Sequence, residues 1–323
     1  MEDSIMLHHH KEIFISSVKE TSDSLGIRDF FIEKDYWITL VLKRLSESEY
    51  ADSVVFKGGT SLSKAFGLIN RFSEDIDLAV VSNLLTSGNQ IKNLIRDVEK
   101  EIAIDLKEIE TLGVTSKGSK FRKSVFYYPT IFKNLAATAI SDKLIIEINS
   151  FANSYPYQKV QINSIISKFL QANNAIDLIK RYNLEPFQLN VLDKKQTMLE
   201  KVVSLIRFSF DNNPVKSIST KIRHFYDLYY LISDQECIDY IDTENFKIDF
   251  LNLIEHDKLI FNDPEGWSQK VYNQSPLIVN FDQLWNSLKE TYRSELQQIA
   301  FIKIPEETDV KIKFKTLIDR LQK

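Results

Sequence analysis

Apolar side chains recur at near-helical spacing early in the chain. One such segment runs from Lys11 to about Leu25, and a second, from Asp29 to about Ser46, carries Phe30, Ile32, Trp37, Leu40, Val41 and Leu45, with Asp29 placed to cap it. The spacing predicts two helices. The pattern then changes: Val54-Val55-Phe56 is a short apolar run of strand type, followed by Lys57-Gly58-Gly59-Thr60-Ser61, a helical stretch through Phe66, and Ile76-Asp77-Leu78-Ala79-Val80 as a second strand. Asn83 to Ile109 reads as helix, while β-branched and aromatic residues argue for strands at Phe121 to Tyr128 and Lys143 to Asn149. Beyond Pro156 the strand pattern is confined to Phe187 to Leu192. Helical periodicity covers Lys194 to Phe210, Ser219 to Ile232, Phe246 to Glu255, Phe281 to Ala300 and Glu307 to Leu321. No internal repeat or low-complexity linker occurs, so the change of pattern itself divides the chain into an α/β part, residues 1–185, with two N-terminal helices, and a mainly helical part, residues 186–323.

Composition narrows the class. Of 323 residues, 43% are hydrophobic and 27% charged, which excludes a disordered polar chain, and no apolar run is long enough to span a bilayer. Met1 to Phe14 is charged and holds His8-His9-His10 where a secretory signal needs an apolar segment, so a cytoplasmic location without a membrane partner is expected. The single cysteine, Cys237, excludes an intramolecular disulfide and a cysteine-based zinc site. Net charge is −4, and no whole-molecule basic field announces a nucleic-acid binder. Lys180 to Arg223 nevertheless holds nine Lys or Arg against four Asp or Glu, which leaves room for a basic face.

Candidate chemistry begins at the only adjacent glycine pair, Gly58-Gly59, between a predicted strand and a predicted helix. Without Cβ atoms the backbone can approach a ligand closely, and the N–H groups and hydroxyls of Thr60 and Ser61 would face an anion. A tight turn with no ligand would need the same glycines. A P-loop is excluded, because Ser63 and Ala65 flank Lys64 where that motif needs Gly and Ser or Thr. Sixteen residues after Gly59 comes Asp75-Ile76-Asp77. In a strand these two carboxylates share a face, roughly 6 to 7 Å apart at Cα, and paired carboxylates hold the hard cations used for displacement at phosphorus. A solvated Asp-x-Asp on an edge strand is the alternative. Glu147 interrupts the apolar run Leu144-Ile145-Ile146-Glu147-Ile148 and becomes a third carboxylate if that strand lies beside the Asp75 strand. In the helical part, Glu200-Lys201 and Arg223-His224-Phe225-Tyr226-Asp227-Leu228 place charges on successive helices, each of which alone is an ordinary helix-surface charge. The histidines have no metal-ligand spacing.

Taken together and in order, Ile32-Glu33-Lys34-Asp35-Tyr36-Trp37, Phe56-Lys57-Gly58-Gly59-Thr60-Ser61-Leu62, Arg71-Phe72-Ser73-Glu74-Asp75-Ile76-Asp77-Leu78, Glu147, Glu200-Lys201 and Arg223-His224-Phe225-Tyr226-Asp227-Leu228 resemble the AbiEii/AbiGii toxin family of nucleotidyltransferases, which includes the mycobacterial MenT-type toxins. The segment from Gly58 to Leu78 is the most specific part, and no motif is recognised beyond about residue 235. The resemblance implies an α+β fold: a polymerase-β-like nucleotidyltransferase core with a mixed β-sheet flanked by helices, joined to a mainly helical C-terminal domain. It implies Gly58, Gly59, Thr60 and Ser61 as the phosphate-binding turn, and Asp75, Asp77 and Glu147 as catalytic carboxylates holding two Mg²⁺ ions. Lys201 would contact the triphosphate of an NTP, and Asp227 would support the site. His224 departs from the pattern, since many relatives have Asp there. The implied activity is transfer of a nucleoside monophosphate to an RNA 3′ end, that of tRNA in MenT-type relatives, with Lys117, Lys120, Arg122 and Lys123 of an expected loop and the Lys180 to Arg223 stretch as candidates to hold the RNA backbone. A cognate AbiEi-type antitoxin is the implied partner. Transfer to a protein, phosphoryl transfer, and a non-catalytic nucleotide-binding regulator stay open, because the carboxylates alone do not choose the acceptor.

Overall fold

A computed structural model describes residues 5–81, 87–133 and 143–322. They form two compact units, Met1–Gly67 with Phe72–Leu192, and Leu68–Arg71 with Asp193–Lys323.

The first unit is built on a mixed sheet. Its elements are α1 (Lys11–Leu25), α2 (Asp29–Glu47), β1 (Val54–Lys57), α3 (Gly58–Lys64), β2 (Asp75–Val80), α4 (Gly88–Ile102), β3 (Lys107–Ile109), β4 (Ser116–Lys117), β5 (Phe121–Tyr127), β6 (Lys143–Asn149), β7 (Tyr157–Ile162), α5 (Ile165–Ala172), α6 (Ile176–Arg181) and β8 (Phe187–Leu192). The strand order is β3-β5-β6-β2-β1-β8-β7, with β4 paired to β5. β2 runs parallel to β6 and β1 parallel to β8, and the remaining pairs are antiparallel. Alternation of side chains decides the faces. In β2, Ile76 and Leu78 are fully buried while Asp75 and Asp77 take the other face, and in β6 Leu144, Ile146 and Ile148 are buried while Glu147 takes the other face.

α2 is buried almost all round, Phe30 to Lys43 without a break, as expected of a central helix rather than an amphipathic surface one. That burial includes three consecutive charges, and each is satisfied by a different segment of the unit. Glu33 accepts from the backbone N–H groups of Ile131 (2.8 Å) and Phe132 (2.9 Å). Lys34 pairs with Glu74 at 3.4 Å. Asp35 pairs with Lys64 at 2.5 Å and accepts from the Ile165 N–H at 2.8 Å.

Several expectations are corrected here. Asp29 is the first residue of α2, with Arg28 in the capping position, and its Oδ1 accepts from the neighbouring Phe30 N–H. The helix expected to reach Ile109 ends at Ile102, and Lys107–Ile109 is strand β3; its expected start at Asn83 lies outside the described residues. β7 was not expected, because an outer strand reading Tyr-Gln-Lys-Val-Gln-Ile has too little apolar content to show alternation. Lys117 lies in β4, and Arg122 and Lys123 in β5, rather than in a loop. β8 pairs with β1 and β7, so the chain stays in the sheet through Leu192.

The second unit contains α7 (Lys194–Ser209), α8 (Pro214–Ser219), α9 (Arg223–Leu231), α10 (Gln235–Ile241), α11 (Glu244–Ile260), α12 (Pro276–Val279), α13 (Phe281–Ile299) and α14 (Glu307–Gln322). The helix expected over Ser219 to Ile232 is divided, α8 ending at Ser219 and α9 starting at Arg223. Asp193 caps α7 by accepting from the Lys195 N–H at 2.8 Å. An aromatic cluster of Phe225, Phe281, Trp285 and Phe314 joins α9, α13 and α14. Leu68–Arg71 is held by a bridge between Arg71 and Ala300 and by the Phe301 N–H donating to Asn70 O at 2.8 Å. No helix among the described residues is long and apolar enough to cross a membrane.

Candidate functional site

In the first unit the register brings four charged residues into one row. Lys57 of β1 pairs with Asp77 of β2, Asp77 with Glu147 of β6, and Glu147 with Lys123 of β5. Residues directly opposite on neighbouring strands share a sheet face. The row therefore sets two carboxyl side chains between two lysines. Asp75, two residues before Asp77 on the same strand, adds a third carboxylate to that face. The adjacency of β2 and β6 places Glu147 beside Asp77, the condition on which its reading as a third carboxylate depended.

The glycine turn closes over this row. Gly58 has φ +80°, and a Cβ there would lie 2.3 Å from Asp77 Oδ2, closer than a side chain tolerates, so only glycine fits. Thr60 Oγ1 donates to the Asp75 carbonyl at 2.5 Å and Ser61 Oγ donates to the Gly58 carbonyl at 2.8 Å. The Thr60 hydroxyl thus ties the turn to β2, and the Ser61 hydroxyl closes the turn on itself.

Like charges crowd at Asp77. Burial pushes its carboxyl up to about 8, and the Glu147 and Asp75 carboxylates push the same way, against the opposing influence of Lys57 and Lys123. The folded chain then keeps a proton that the unfolded chain releases at the ordinary aspartate value near 4. The stabilisation is complete below about pH 4 and is lost as pH rises toward 8. In metal-free buffer, Asp77→Asn is expected to melt close to wild type at about pH 5 and several degrees above it at about pH 8.5. Thermal melts at the two pH values check this, and a variant less stable than wild type at the higher pH contradicts it.

Two aspartate carboxylates on one face, beneath a backbone turn stripped of side chain, suit a hard divalent cation with oxygen ligands. Among the described residues, no group of three or more His, Cys, Asp or Glu is drawn together to hold a metal. Glu147 Oε2 instead accepts from Lys123 Nζ at 3.2 Å.

The second unit has a charged cluster of its own. Arg71 grips Asp227 with two bonds, Nε to Oδ1 at 2.7 Å and an Nη to Oδ2 at 2.6 Å, and Lys201 Nζ lies 2.8 Å from Oδ2. Asp227 is fully buried, with Arg71 at 3% and Lys201 at 6% exposure. Burial alone would raise the Asp227 carboxyl, and the two cations reverse this and hold it well below the ordinary range. His224 stays neutral, since burial and then the Lys201 charge depress its basicity. In the sequence Arg71 stands out only as part of a motif. Its partner lies 156 residues away, a distance that local pattern does not bridge.

Many other basic residues considered for an RNA backbone are already paired: Lys117 with Glu108, Arg122 with Glu99, Lys194 with Asp234 and Glu236, and Arg207 with Asp257.

A family model described as nucleotidyl transferase AbiEii toxin, type IV toxin-antitoxin system, matches residues 40–314, which takes in both the carboxylate row and the Arg71-Lys201-Asp227 cluster. The chain belongs to the AbiEii family. No curated protein matches it. Among solved structures it is similar to MenT4, the nucleotidyltransferase toxin Rv2826c from Mycobacterium tuberculosis H37Rv, at 15% identity over 87% of this chain and 96% of that one, with a TM-score of 0.37. AbiEii membership makes the protein a transferase of the nucleotidyl kind and a toxin-antitoxin component, with an NTP as the class of substrate and an antitoxin as the class of partner.

Proposed function

We propose that this AbiEii protein transfers a nucleoside monophosphate from an NTP to the 3′ hydroxyl of an RNA, with tRNA as the acceptor and pyrophosphate as the leaving group. The observation that carries the reading is the carboxylate row under Gly58, because it joins oxygen donors for a divalent cation to a turn that a polyphosphate can approach. Asp75 and Asp77 would hold two Mg²⁺ ions, with Glu147 as the third oxygen donor. Bound there, Mg²⁺ supplies Lewis-acid stabilisation of charge on the phosphate oxygens.

The chain's own residues do the remainder. Gly58 and Gly59 leave the main chain of the turn open to the phosphates, while the Thr60 hydroxyl ties that turn to β2 and the Ser61 hydroxyl braces it from within. Glu147 is assigned to the acceptor side, where a carboxylate can take the proton of the attacking hydroxyl. Lys201 is assigned to the triphosphate, and Asp227, which fixes its ammonium at 2.8 Å, to positioning it. An AbiEi-type antitoxin is the proposed cognate partner.

Mass spectrometry of bacterial tRNA incubated with the protein, Mg²⁺ and each NTP tests the acceptor. The expected product is tRNA heavier by one or more nucleotides at its 3′ end. Unchanged RNA together with a nucleotidylated protein would overturn the RNA assignment in favour of a protein acceptor.

A further inference from the structure

The row across β1, β2, β6 and β5 contains its own cations. Lys123 stands opposite Glu147 in the β5–β6 register, and its Nζ lies 3.2 Å from Glu147 Oε2. The two side chains are 28% and 24% exposed, so the pair is partly shielded and solvent screens it incompletely. At the far end Lys57 stands opposite Asp77. The next residue after Lys57 is Gly58, whose missing Cβ leaves room for Asp77 Oδ2. Arg122, one residue from Lys123, is engaged elsewhere, with two bonds to Glu99 at 2.9 and 2.5 Å. Strand alternation gives Arg122 the opposite face, so Lys123 is the cation that β5 offers to this row.

An ammonium and a divalent cation compete for the same carboxylate lone pairs, and each repels the other. No group of three carboxylates is gathered for a metal among the described residues, although three lie on one sheet face. Resting on the reading of Asp75 and Asp77 as metal ligands, we infer that Lys123 is an internal competitor for the divalent cation at Glu147. Glu147 joins the metal only when Lys123 leaves it, and Lys123 thereby sets the metal affinity of the centre. Lys123 is thus a positioning residue acting through Glu147. Without nucleotide the centre binds metal weakly, and the negative charge of an incoming triphosphate favours both the cation and the released ammonium.

Binding of Mn²⁺ to the full-length protein without nucleotide, followed by the loss of the free-ion electron paramagnetic resonance signal, tests this. Lys123→Met keeps the alkyl stem and removes the charge, and it is expected to bind Mn²⁺ about ten-fold more tightly than wild type. Lys123→Gln serves as a second neutral variant, and Lys123→Arg is expected to stay near wild type. Neutral variants that bind with unchanged or weaker affinity, with unaltered circular dichroism, overturn the inference. Asp75→Asn separates this failure from that of the underlying reading. If Mn²⁺ binding by wild type is insensitive to Asp75→Asn, the metal-ligand assignment fails and the inference with it. If binding depends on Asp75 and not on the charge at position 123, the inference alone fails.

Discussion

Asp75→Asn and Asp77→Asn are each expected to lower nucleotidyl transfer by about a thousand-fold or more while leaving the fold intact. A divalent cation stabilises phosphoryl charge by several kcal/mol, and each 1.4 kcal/mol or so is a decade in rate. Amides keep the shape of the carboxylates and remove the charge proposed to hold the ion. The fold survives because the row is crowded with like charge: Asp77 resists ionisation through its burial and its Glu147 and Asp75 neighbours, so neutralising it relieves repulsion. Initial rates with labelled NTP, compared with circular dichroism and melting temperature of the same preparations, check both halves. Loss of activity together with loss of structure would move these residues from chemistry to folding.

The second large effect is on stability. Asp227→Ala is expected to cost about 3 to 5 kcal/mol, because it leaves Arg71 and Lys201 buried without their counter-charge. Lys201→Met should cost clearly less, since Arg71 still neutralises Asp227 through two bonds at 2.7 and 2.6 Å. Urea unfolding of the full chain, monitored by circular dichroism, compares the two variants. Equal destabilisation would contradict a cluster organised around the carboxylate, and an undamaged Asp227→Ala would contradict its burial.

How legible these features were depends on how local they are. Gly58, Gly59, Asp75 and Asp77 lie within twenty residues, and strand alternation alone puts the two aspartates on one face. The sequence suggests Gly58 as a place of close approach to a ligand, whereas in the structure the space its Cβ would take is next to Asp77 Oδ2. Glu147 was conditional, because a single sequence does not say that β6 lies beside β2. The place of Lys57 and Lys123 in the row is not legible in the sequence for the same reason, since cross-strand register is set by tertiary pairing. The sequence instead offers Lys123 as a loop cation for an RNA backbone, whereas β5 carries it to Glu147.

The charged motif on α2 shows the limit from another side. Helical spacing identified the element, but Glu33, Lys34 and Asp35 look solvent-facing until their partners at Phe132, Glu74 and Lys64 are known. Lys34 and Asp35 thereby tie α2 to the residue before Asp75 and to the last residue of α3. Short helices escape periodicity where they fall under two turns: α6 has six residues and α12 four. The outer strand β7 has the polar content of a loop, and the three residues of β3 are absorbed into the helical pattern that precedes them.

The most direct test of the central claim is to incubate the purified full-length protein with each α-³²P-labelled NTP, Mg²⁺ and total bacterial RNA, beside the Asp75→Asn/Asp77→Asn double variant, and to resolve the products on a denaturing gel. Label entering RNA with wild type and absent with the double variant is the predicted result. RNA labelled equally by the double variant, or left unlabelled by wild type with every NTP, would contradict it.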